Sequence, residues 1–156
     1  MISNEIDFEG LIKKIRDIPV RAGRNAGRRA LRKGANVIRD AARKNARSVD
    51  DPETREQIFK NVSVSGGGSR RERRMGGPMM RVGIRGGARH RKGDGRDGLP
   101  GGNTTHWRWV EFGTSQVPAR PIMRPAMNEK ANAALSAVAT DLPKQLDKEL
   151  AKLGQK

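Results

Sequence analysis

Between Met127 and Leu153 apolar side chains return at helical intervals: Met127, Ala131, Ala134, Leu135, Val138, Leu142, Leu146, Leu150 and Leu153. A stripe of about seven turns predicts one long helix with a single face to bury. Pro125 opens that helix, and Pro143 interrupts the pattern, so a kink or restart is expected near Asp141. The rest of the chain must supply the surface that covers the stripe. It has little to offer, since apolar residues make up 34% of the 156 positions and aromatics 3%. One thin core is therefore expected, in a single domain over residues 1–156, with burial completed against neighbouring subunits.

The N-terminal part also reads as helical. Phe8, Leu11, Ile12 and Ile15 recur at helical spacing in a short helix that ends near Ile18–Pro19. A longer helix follows from about Val20 to Ala46. Its expected inward stripe is Gly27, Leu31, Gly34, Ala35, Ile38, Ala41 and Ala42. Small residues let two helices approach closely, although each interior Gly costs roughly 1 kcal/mol against Ala. The other faces carry Arg21, Arg24, Arg28, Arg29, Arg32, Lys33, Arg39, Arg43, Lys44 and Arg47, opposed within the helix only by Asp40.

Asp51-Pro52-Glu53 reads as a helix start, leading into a short turn through Ile58. Val62 and Val64 alternate with Ser63 and Ser65, and Met80, Val82 and Ile84 alternate with Arg81, Gly83 and Arg85. Both stretches predict strands, paired antiparallel and joined by a basic loop from Gly66 to Pro78 that holds Arg70, Arg71, Arg73 and Arg74. Residues 66–102 thus read as flexible basic loops around a strand at 79–85. The stretch from Gly86 to Gly102 has no periodicity at all. The fold class is α+β: a small antiparallel sheet packed by a long N-terminal and a long C-terminal helix.

Several kinds of chemistry find no support. His90 and His106 stand apart from any Cys, Asp or Glu at ligand spacing, so no metal site is assembled. Gly66-Gly67-Gly68-Ser69 lacks the Lys-Ser/Thr and helix start of a phosphate-binding loop. Glu111 has no second carboxylate near it for acid–base work. No catalytic residue and no cofactor are expected. There is no cysteine, no apolar run long enough to span a bilayer, and a polar, acidic start where a leader peptide would be apolar. A net charge of +16 calls for a polyanion, an acidic protein surface, or solubility alone. Nucleic-acid binding is the strongest rival reading, because ten basic side chains on one helix could neutralise several phosphates. Against it, the aromatics are few and clustered, and no recognised nucleic-acid-binding signature is present.

The cluster at His106–Met127 holds both tryptophans. It runs Trp107, Trp109-Val110-Glu111-Phe112-Gly113-Thr114, then Pro118-Ala119-Arg120-Pro121, then Arg124-Pro125-Ala126. Pattern leaves strand or helix open for 106–112. Gly113 suits a tight turn with φ > 0, and Pro118 and Pro121 stiffen an extended connector. Glu111, if buried, needs a partner, and Arg120 or Arg124 would supply it.

At these residues the chain resembles the tail-component family of lambdoid siphophages, whose members are described as head–tail joining, neck or tail-completion proteins. One segment departs from the family pattern: Ser48-Val49-Asp50-Asp51-Pro52-Glu53-Thr54 stands where relatives often have a Pro-Val-Asp-Thr-Gly-Arg-Leu-like stretch. The resemblance implies a virion subunit made in the host cytoplasm and assembled as a homo-oligomeric ring, with six copies as the expected number. It would be stacked between the head connector and the tail-tube or terminator proteins. The resemblance implies no catalysis. The stiff segment His106–Met127 would present a surface to a partner or serve only as a connector, and the loop with Arg70, Arg71, Arg73 and Arg74 is expected to dock on acidic neighbours or only to keep the subunit soluble. DNA passing nearby is not expected to be bound specifically, because arginines facing a channel would retard it, and no membrane role is expected. An assembly factor absent from the finished particle would share the same fold.

Overall fold

The computed structural model describes residues 7–54, 56–86 and 98–154. His90 and most of the stretch from Gly86 to Gly102 lie outside the described residues, as does the side chain of Phe8. Among the described residues, six helices and two strands follow in the order α1 (Phe8–Asp17), α2 (Val20–Arg47), α3 (Ile58–Asn61), β1 (Val62–Gly66), α4 (Ser69–Arg74), β2 (Met80–Ile84), α5 (Trp107–Phe112) and α6 (Met123–Gly154). The two strands pair antiparallel in a two-stranded sheet, and the long helices α2 and α6 pack against it. The fold is α+β, as the sequence predicts.

Local signals explain most boundaries. Asp7 caps α1 by accepting from the N–H of Gly10 at 2.9 Å, and the helix stops at Ile18, the residue before Pro19. The long C-terminal helix begins at Met123, two residues before Pro125. Pro125 is thus the third residue of the first turn, where a missing N–H costs nothing. The helix continues through Pro143 without a break, so the expected restart near Asp141 does not occur.

The chain divides into two compact units. The first takes in residues 1–35, 66–81 and 133–156. Its apolar cluster is Ile18, Ala22, Ala26 and Leu146, with Leu11, Leu142 and Leu150 packed on it. Here α2 meets the second half of α6 through small side chains. A Cβ at Gly34 would lie 2.6 Å from Val138 Cγ2 and 2.7 Å from the Ala134 carbonyl oxygen, closer than real Cβ atoms come. The second unit takes in residues 36–65 and 82–132. Ala42, Ala46, Ile58, Val62, Ile122 and Ala126 form its core, flanked by Val82 and Ile84 of the sheet and by Trp107 and Val110.

The inward stripe of α2 differs in part from expectation. Gly34, Ala35 and Ala42 are buried as predicted, whereas Gly27, Leu31, Ile38 and Ala41 are only half-buried. Ala22, Ala26, Ala30 and Ala46 take their place. These alanines fall at four-residue steps with Gly34, Ile38 and Ala42, a ridge of minimal side chains broken only by Ile38.

Asp51-Pro52-Glu53 forms a turn and not a helix start: the N–H of Glu53 donates to Asp51 Oδ1 at 3.0 Å. The short helix α3 is capped by Asp50, whose two carboxylate oxygens accept from Ile58 N and Phe59 N at 2.9 and 3.0 Å. The Gly66–Pro78 connection differs as well, because Ser69–Arg74 within it is helical.

Candidate functional site: a capped connector and a basic ridge

The residues from Trp107 to Phe112 form a helix. Its short length places side chains on three faces. Trp107 and Val110, three apart, pack on the core of the second unit. Trp109 and Phe112, also three apart, face outward at 65% and 64% exposure. Glu111 lies between these faces and is 2% exposed. The hydrophobic anchor is therefore Trp107 with Val110, while Trp109 and Phe112 are presented to the outside.

The helix ends at Gly113, which adopts φ 75° and returns its N–H to the Trp109 carbonyl at 2.8 Å. That φ is favourable for glycine alone. Space is tight there too: a Cβ would sit 2.8 Å from Ala119 N and 3.0 Å from the Val117 oxygen. Thr114 Oγ1 accepts from the N–H groups of Gln116 and Val117, which closes the turn. The extended piece Pro118-Ala119-Arg120-Pro121 then runs back beside α5, held where the Arg120 N–H donates to the Val110 carbonyl at 2.8 Å.

Glu111 performs the central fastening. Its carboxylate accepts from the backbone N–H groups of Ile122, Met123 and Arg124 at 2.6, 2.9 and 3.2 Å. These are donors that an α-helix leaves unsatisfied at its start, and the positive end of the helix dipole favours the negative charge. Arg124 Nε stands 3.6 Å from Glu111 Oε1, and Arg124 Nη2 donates to the Glu111 carbonyl at 2.9 Å. Of the two arginines expected as partners, Arg124 is the one that pairs; Arg120 contributes its backbone. The Arg124 guanidinium also lies over the Phe112 ring, 5.5 Å from its centroid. Beside it, Ala119, Pro121, Arg124, Pro125, Asn128 and Glu129 line an open cleft.

The arginines expected to form a docking loop are carried by α4, and Arg70, Arg71, Arg73 and Arg74 are all exposed. The one acidic residue among them, Glu72, is 9% exposed. Arg28 grips it with two donors, Nε at 3.2 Å to one carboxylate oxygen and Nη2 to the other. That hydrogen bonding holds the Glu72 carboxyl below the usual carboxylate range, against the opposing effect of burial. Glu149 is held low in the same way by Lys152 and then by Arg29. The basic face of α2 is therefore opposed by carboxylates far along the chain as well as by Asp40. Only the pairing with Asp40 could be read from the helix itself. The partnership of Arg28 with Glu72, and the exposed Met75 that closes α4, are the parts that sequence reasoning missed. The signal available was a lone Glu amid four arginines in Ser-Arg-Arg-Glu-Arg-Arg.

His106 Nδ1 stands 3.5 Å from Glu56 Oε2. Among the described residues no group of three His, Cys, Asp or Glu side chains could hold a metal ion, and no helix is long and apolar enough to cross a membrane. No curated protein and no solved structure matches the chain. A family model does match, over residues 9–113, with the description "Bacteriophage HK97-gp10, putative tail-component". The matched span runs from α1 to the glycine that ends α5, so it takes in Trp107 to Gly113 and leaves Pro118 to Pro125 outside. With well over half of its length matched, the chain belongs to the HK97-gp10 family of bacteriophage tail components.

Proposed function

We propose that the chain is a structural subunit of the head–tail junction of a tailed phage, in the neck or tail-completion layer. It acts without catalysis, through ring assembly and protein docking. Six copies form the ring between the head connector and the tail-tube or terminator proteins. The observation that carries this reading is the pairing of a rigid connector with an outward aromatic face. Glu111 fastens α5, the connector and the start of α6 into one piece, while Trp109 and Phe112 remain uncovered on it. Large exposed aromatics on a fixed support suit a protein interface, since little side-chain or backbone freedom is lost when they are covered.

In this reading Trp107, Val110, Glu111 and Gly113 set the geometry. Trp109, Phe112, Thr114, Pro118, Ala119, Arg120, Pro121, Arg124 and Pro125 form or edge the surface that meets a neighbour. The four arginines of α4 dock on acidic protein. DNA passes the ring without being held, because arginines repeated around a channel would multiply phosphate contacts and slow its passage.

Complementation tests the proposal. A phage lacking the gene is supplied with the wild-type chain or with Trp109→Ser/Phe112→Ser. The double variant should stay folded by circular dichroism and leave unjoined heads and tails in micrographs. Cryo-electron microscopy of complete particles should find the protein at the junction. Normal joining by the double variant, or density elsewhere in the particle, would overturn the reading.

A further inference from the structure

The basic helix α4 offers an exposed set that is chemically narrow: Arg70, Arg71, Arg73, Arg74 and, at its C-terminal end, Met75 at 66% exposure. Arginine and methionine are both enriched at protein–protein interfaces, where lysine and glutamate are depleted. A six-residue helix with no apolar stripe has almost no stability of its own. What holds it is Glu72, buried beneath it and gripped by Arg28 of α2. The only carboxylate of the segment is thereby neutralised and turned inward, and the outer face is left uniformly cationic.

We propose that α4 is a preformed docking helix for an acidic protein surface with an apolar centre, and that Glu72 is its positioning residue. The inference rests on the proposed junction role and names the chemistry of the partner that these arginines meet. Two observations favour protein over nucleic acid. Met75 gives the helix an exposed apolar contact that a phosphate backbone cannot match, whereas a protein partner can cover it. The exposed side chains of α4 also include no aromatic on which a base could stack. Arginine is suited to carboxylates because its planar fork can donate two parallel hydrogen bonds. The Arg28–Glu72 pair displays that geometry within the molecule itself.

The experiment uses the full chain and three fluorescent probes at one salt concentration. These are a 20-residue peptide of Glu with Leu at every fourth position, a 20-residue poly-Glu peptide, and a 20-base-pair duplex DNA. The Glu/Leu peptide should bind about tenfold tighter than poly-Glu, a margin of roughly 1.4 kcal/mol. Met75→Ser should erase that margin and leave poly-Glu binding unchanged. Arg70→Glu/Arg74→Glu should abolish binding of both peptides. Glu72→Gln should weaken Glu/Leu peptide binding about tenfold and speed amide exchange across residues 69–77, while the exchanged pair Arg28→Glu/Glu72→Arg restores both. Rescue by the exchanged pair separates positioning from a loss of fold. Tighter binding of the duplex than of the Glu/Leu peptide, or binding indifferent to Met75→Ser and Glu72→Gln, would overturn the inference. Failure of the junction role reads out differently, as normal joining by the Trp109→Ser/Phe112→Ser chain or density away from the junction.

Discussion

The carboxylate of Glu111, on the short helix α5, closes the first turn of α6 and is itself edged by Arg124 of that turn, 3.6 Å away. One buried side chain thus fixes the angle at which the connector enters the longest helix. Removing it leaves three backbone donors without an acceptor. Glu111→Ala is expected to cost about 2–4 kcal/mol of unfolding free energy, as for other buried networks that lose their acceptor. Glu111→Gln keeps one oxygen and should cost less. Urea titration followed by tryptophan fluorescence measures both, and a loss under 0.5 kcal/mol for the alanine variant would contradict the capping role.

Gly113 and Ala119 make a second fixed relation, because the connector folds back with no room for a side chain between them. Gly113→Val combines a positive φ with a β-branched side chain against backbone atoms. Strain of this kind typically costs about 1–3 kcal/mol, before any clash is relieved. The variant should show that loss, together with faster amide exchange at Val117 and Arg120, whose N–H and carbonyl groups close the connector. Unchanged exchange there would mean that the turn tolerates a side chain.

The long helices were legible because each carries an apolar or small-residue stripe over many turns. The shorter elements were not, for identifiable reasons. Trp107 and Trp109 mimic a strand by alternation, and six residues are too few to display a helical period. The Ser69–Arg74 segment has no apolar face, and its helix depends on Arg28, 44 residues away in sequence from Glu72. Both distant caps, Asp50 on α3 and Glu111 on α6, are tertiary contacts that resemble surface acids in the sequence. The Asp51-Pro52-Glu53 turn carries a local cap signal, but the cap of α3 is Asp50 next to it, a contact that sequence spacing does not display. Within the motif, Gly113 and the pairing of Glu111 with an arginine followed from residue chemistry. The outward placement of Trp109 and Phe112 required the helix.

Gly34 tests the close approach of α2 to α6 in the first unit. Gly34→Ala gains helix propensity, at most about 1 kcal/mol. It also places a methyl group against the Ala134 carbonyl and Val138. Overpacking typically costs about 1–3 kcal/mol, so the net change should be destabilising. Gly34→Ala/Val138→Ala frees space on the Val138 side and should recover part of the loss. Thermal denaturation of the two variants decides, and a Gly34→Ala chain more stable than wild type would show that the helices can separate without cost.

Acid should loosen the first unit through Glu72 and Glu149. Both carboxyls are held below their ordinary value, Glu72 chiefly by hydrogen bonding from Arg28 and Glu149 by Lys152 and then Arg29. A carboxyl that binds its proton less readily in the folded state than in the unfolded state stabilises the fold once pH exceeds the unfolded value, near about 4.3 for Glu. Below that value the unfolded chain takes up the proton first. The contribution shrinks as pH falls and disappears once the folded carboxyl is protonated as well. The apparent Tm should therefore be steady from pH 7 to about 5 and decline below about 4.3, where the unfolded carboxyl begins to protonate. Glu72→Gln/Glu149→Gln should have a lower Tm at pH 7 and a shallower acid decline, because the two groups no longer titrate. High salt should reduce the difference between the two chains, since the arginines that grip these carboxylates are partly exposed. An acid limb of equal steepness in wild type and double variant would assign the pH response to other carboxyls.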